Sequence, residues 1–92
     1  MNRLEIEPGR VVLSKAGRDA GRRMLVLSVQ DEYAYVVDGD LRKVETPKKK
    51  KMKHIKATVA LFPTISAMIE EGKRPSDAEI RNILMTDRQG RI

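Results

Sequence analysis

A chain of 92 residues has room for one domain and one modest core, and a hydrophobic content of 40% suffices to fill it. With no cysteine there is no disulfide framework or thiolate metal site, and no apolar run reaches the roughly 18 residues of a membrane-spanning helix. The start of the chain also lacks a basic segment followed by a hydrophobic one, so a cytoplasmic protein with no membrane partner is expected.

From Arg10 to Thr58 the chain predicts short strands separated by turns, the pattern of a small all-β barrel. Pro8-Gly9 breaks the chain ahead of the β-branched run Arg10 to Ser14, the first strand. Lys15 to Arg23, with two glycines, five charges and nothing apolar larger than alanine, is a loop. Met24 to Gln30 is the second strand, Asp31-Glu32 a two-residue turn, and Tyr33 to Val37 the third strand. Asp38-Gly39-Asp40 holds the Asp-Gly pair of a tight hairpin, because glycine accepts a positive φ. A fourth strand is expected from Leu41 to Thr46. Pro47 interrupts it, and after the lysine run Lys48 to Lys51 a fifth strand from about Met52 to Ala57 closes the sheet.

The tail differs in kind. Thr64 to Gly72 predicts a short helix with a hydroxyl N-cap and a glycine past its end. Ser76-Asp77-Ala78-Glu79 has the spacing of a capping box, starting a second helix that runs to about Met85. Ile80, Ile83 and Leu84 share one side of that helix, so it must rest on something, and Met68 and Met85 are expected in the helix core. The expected organisation is a β-barrel over residues 1–60 and a helical extension over residues 61–92, packed on the barrel or on a partner.

Charge carries the first functional signal. Residues 10–23 hold +4 and residues 41–56 hold +7, on either side of a segment of −4 over residues 24–40, within a net charge of +6. A fold that brought the two basic blocks together would form one cationic face for an anionic partner. In the first block, Gly17 and Gly21 permit a tight connection with an open backbone, from which Lys15, Arg18, Arg22 and Arg23 project. Arginine's planar fork suits paired contacts to phosphate oxygens. A Walker-type nucleotide loop needs four residues between its glycines and then Lys-Ser or Lys-Thr; here there are three, followed by Arg-Arg. In the second block, Lys48, Lys49, Lys50 and Lys51 with Arg42, Lys43, Lys53 and Lys56 are charges that would hold phosphate without reading sequence, the alternative being a solvated loop. Tyr33 and Tyr35 share a sheet face and are expected to pack rather than stack on bases, and the lone His54 has no second metal ligand. No serine, histidine and acid arrangement exists, and Glu70-Glu71 lies at an ordinary helix end, so neither catalysis nor a metal or cofactor is expected.

The order Gly9-Arg10-Val11-Val12, then Lys15-Ala16-Gly17-Arg18-Asp19-Ala20-Gly21-Arg22, then Leu25-Val26-Leu27-Ser28-Val29 resembles the KOW motif, with Gly21 at its characteristic glycine. Continued to Lys53-His54-Ile55-Lys56-Ala57-Thr58, the first sixty or so residues are similar to the fourteen-e family of large-subunit ribosomal proteins. The resemblance implies a mainly β fold, a small SH3-like five-stranded barrel. It also implies a role in translation: binding of large-subunit ribosomal RNA through the loop around Gly21 and the strand edge near Lys48 to Lys51. The KOW motif also occurs in transcription elongation factors. The alternative is therefore an adaptor that recruits a ribosomal or transcription protein through the barrel or the helix around Ile80 to Leu84. A monomer is expected in either case.

Overall fold

A computed structural model describes residues 4–90, with side chains described for residues 4–86. Five strands form one antiparallel sheet: β1 (Arg10–Ser14), β2 (Arg23–Gln30), β3 (Tyr33–Val37), β4 (Lys48–Lys51) and β5 (Ile55–Leu61). Their spatial order is β4-β3-β2-β1-β5, and α1 (Pro63–Glu70) and α2 (Asp77–Gly90) follow.

The core explains why the strand sequences do not alternate cleanly. Val11, Leu25, Leu27 and Val37 pack with Val44 and with Ile65 and Ile80 of the helices. Their chain neighbours Val12, Met24, Val26 and Val36 pack on the opposite face with Ala34, Ile55 and the partly buried Ile6. A sheet covered on both faces needs nearly continuous apolar strands, which is the composition of Met24 to Leu27. Between Val26 and Ser28 the β2–β3 register shifts, so that Leu27 is an extra residue, and such a bulge bends its strand.

A short connection links the two edges of the sheet. The edge strands β4 and β5 are separated in the chain only by the 3-10 turn Met52–His54. That turn is fastened on both sides: the Met52 N–H donates to the Glu32 carbonyl at 2.8 Å, and the Lys15 N–H donates to the His54 carbonyl at 2.7 Å. Strand β4 pairs with β3 and β5 pairs with β1, so the sheet remains open.

The first three strands lie where the sequence predicts them, but the fourth and fifth do not. Leu41 to Thr46 is not a strand; it belongs to a ten-residue connection between Val37 and Lys48. Its Arg42 and Val44 amides bond to side chains, and the Thr46 amide to the Lys43 carbonyl, instead of to a neighbouring strand. The Asp38 carboxylate accepts from the Asp40 and Arg42 N–H groups, and the Asp77 carboxylate accepts from the Val44 N–H at 2.8 Å. A tight turn does form at Asp38-Gly39-Asp40, with Gly39 at φ +79° and the Asp38 and Gly39 N–H groups donating to the Arg42 carbonyl at 2.9 and 3.1 Å, but no strand follows it directly. The lysine run is itself β4, and β5 starts three residues later than Met52 and runs on to Leu61.

The helices dock on one face of the sheet. Gly9, at φ +92°, lies so close to α1 that an added Cβ would collide with Ser66 Oγ, and the Ser66 hydroxyl donates to the Pro8 carbonyl at 2.7 Å. Helix α1 starts with Pro63 after Phe62, without the expected hydroxyl cap, because proline at the first position needs no amide partner. Helix α2 has the expected capping box: the Glu79 N–H donates to Ser76 Oγ at 3.1 Å and the Ser76 N–H to Glu79 Oε1 at 2.9 Å. Met68 is half-buried, but Met85, expected in the helix core, is 58% exposed, because Ile80, Ile83 and Leu84 supply the docked side.

Candidate nucleic-acid interface

The β1–β2 loop folds back on itself through backbone bonds. The Gly21 N–H donates to the Ser14 carbonyl at 2.8 Å and the Ser14 N–H to the Arg22 carbonyl at 3.0 Å, while Gly17–Asp19 forms a 3-10 turn. Gly17 and Gly21 hold φ of +78° and +84°, a left-handed backbone that glycine adopts without a Cβ penalty.

This fold carries Asp19 inward. Its side chain is 4% exposed, and its Oδ2 accepts from Arg42 Nε at 3.2 Å and Nη2 at 3.0 Å. Lys50 Nζ and Arg22 Nε each stand 3.9 Å from its carboxylate. Arg22 also donates to Asp38 Oδ2 at 2.9 Å. Lys50, 8% exposed, donates to Ser14 Oγ at 2.9 Å and to the Ala16 carbonyl at 3.0 Å. Lys50 thus ties edge strand β4 to the end of β1, which is not its pairing neighbour in the sheet.

The two basic stretches meet in one concavity of about 520 Å³. It is lined by Ala16, Gly17, Arg18 and Asp19 from the first loop, Arg42 from the long connection, Lys48, Lys49, Lys50 and Lys51 from β4, and Tyr33 and His54. Arg18 and Lys49 are exposed, as is His54, and Lys48 and Lys51 are half-exposed. Register puts Lys48 and Lys50 on the sheet face of Val36 and Ala34, and Lys49 and Lys51 on that of Tyr35 and Tyr33. Lys49 Nζ lies 4.4 Å from the centre of the Tyr33 ring, a cation–π contact that covers a ring face.

Seven of the predicted contact residues, Gly17, Arg18, Arg42 and Lys48 to Lys51, line this concavity. Arg22 and Arg23 line a different recess, with Asp38, Asp40 and Arg81. Gly21 is exposed and outside both, and Lys15, Lys43, Lys53 and Lys56 are exposed beyond the concavity. Lys15 adjoins it through its backbone bond to His54. The sequence reading missed Asp19 as the organiser of the site, although its signal was present: it is the single acid in a loop of four cations. The burial of Lys50 had no such signal, since four identical lysines do not say which one points inward.

No protein-family model matches the chain, and a search of curated proteins finds no match. The likeness to the KOW motif therefore stands on the residues quoted for it.

Proposed function

We propose that this protein is a non-enzymatic RNA-binding module of the KOW type, an SH3-like barrel that lays its basic concavity against folded ribosomal RNA of the large subunit. The observation that carries this reading is the meeting of the two basic stretches, about thirty residues apart in the chain, around one depression. Arg18 contributes a planar fork for phosphate oxygens, and Lys48, Lys49 and Lys51 contribute point charges along a strand edge. Lys50, Arg42 and Arg22 are assigned to the scaffold, because their donors are directed at Asp19, Asp38, Ser14 and Ala16. With the Tyr33 ring under a lysine, the surface favours phosphate contact and shape over stacking on unpaired bases.

Crosslinking the protein to RNA in cells and sequencing the attached fragments tests the proposal. Enrichment of large-subunit ribosomal RNA, lost when Arg18, Lys48 and Lys51 become glutamine, is the expected result. Crosslinks spread over unrelated RNA, or unchanged in that variant, would refute it. Co-sedimentation with large subunits before and after a high-salt wash then distinguishes a resident component from a visiting factor.

A further inference from the structure

On the helix side of the sheet lies a further depression that shares no residue with the basic concavity. It is a groove of about 340 Å³ lined by Leu27, Tyr35, Val44, Pro47 and Ile69, together with Ser28, Gly72, Lys73 and Arg74. Leu27 and Val44 are almost fully buried, Tyr35, Pro47 and Ile69 half-buried, and Lys73 and Arg74 exposed, so the lining grades from an apolar interior to a cationic rim. Two local features leave this space unfilled. Leu27 is the bulged residue of β2, and Gly72, at φ +84°, ends the first helix without a side chain.

We infer that this groove docks an extended peptide carrying one large aliphatic or aromatic side chain flanked by carboxylates. The apolar lining rewards burial of such a side chain, and the groove has the size of a small ligand pocket. Charge complementarity selects the flanking acids. Lys73 is 3.5 Å from Glu71 with 70% and 64% of the two side chains exposed, a weak surface pair that an incoming carboxylate can replace. Arg74, held among the described residues by one long bond of 3.5 Å to the Val44 carbonyl, offers a fork that matches a carboxylate in two-point fashion. The inference is independent of RNA binding, since the two depressions have separate linings.

The test is an NMR titration of the full chain with a short peptide of one leucine flanked by aspartates, beside a control with serine for the leucine and another with lysines for the aspartates. Saturable shifts at Leu27, Ser28, Tyr35, Ile69 and Gly72 with the first peptide alone are expected. Affinity should fall about tenfold, equivalent to about 1.4 kcal/mol, in the double variant Lys73→Gln, Arg74→Gln, whose exposed positions leave the core untouched. Ser28→Trp, at an exposed position lining the groove, should abolish the shifts with the fold intact by circular dichroism. Shifts confined to Arg18, Lys48 and Lys51, equal binding of the serine peptide, or preferential shifting of the groove signals by a short RNA would each overturn the inference.

Discussion

Asp19 is a carboxylate removed from water and held by Arg42 at hydrogen-bond distance, with Lys50 and Arg22 close by. A buried charge of this kind is tolerable only while its counterions stay in place, and deleting it strands those counterions in turn. Asp19→Ala should therefore destabilise the fold by about 3–5 kcal/mol in urea unfolding, far more than an exposed acid such as Asp31 replaced by alanine. Two glycines with nearly the same φ should respond differently. Gly21 has open space where a Cβ would go, so Gly21→Ala meets only the left-handed backbone penalty of about 1–2 kcal/mol. At Gly39 the Cβ would press on the Asp77 carbonyl and Arg81, so Gly39→Ala should cost clearly more and loosen the docking of α2. Equal losses in the two variants, measured by denaturant unfolding, would show that α2 does not approach the loop this closely.

At the scale of elements, the sequence made β1, β2 and β3 legible because each has an apolar run bounded by a turn. The fourth strand was not legible. Leu41 to Thr46 has the composition of a strand, yet its Arg42 and Val44 amides are taken by Asp38 and Asp77, and Asp77 is thirty-three residues from the Val44 amide it accepts. No local pattern announces such a partner. Lys48 to Lys51 has the composition of a loop, yet it suits an edge strand, where lysines block pairing with another chain. Replacing Lys48, Lys49 and Lys51 with glutamine should leave β4 in place and weaken binding of all RNAs by similar factors, whereas Lys50→Gln should mainly lower stability. Filter binding on several RNAs with parallel thermal melts separates the two effects. The capping box was fully readable, and Ser76→Ala should cost about 1 kcal/mol, observed as a lower melting temperature.

At the scale of the whole molecule, the candidate site was readable as charge and not as geometry. Two basic blocks flanking an acidic, apolar middle implied one cationic face if the fold brought them together. They did not say that part of that charge serves the scaffold, since Asp19 and Asp38 are buried only in the folded chain. The cations left for a partner are fewer than composition suggests: Arg18, Lys48, Lys49 and Lys51, with a neighbour such as Lys15 or Lys53. The most direct measurement is the affinity for a ribosomal RNA fragment titrated against salt. Neutralising roughly 4–5 phosphates gives a slope of log K against log salt of about −3 to −4.5. That slope should become shallower by about 2–3 when Arg18, Lys48 and Lys51 are changed together to glutamine. A salt-independent affinity, or the same slope in the triple variant, would contradict the account.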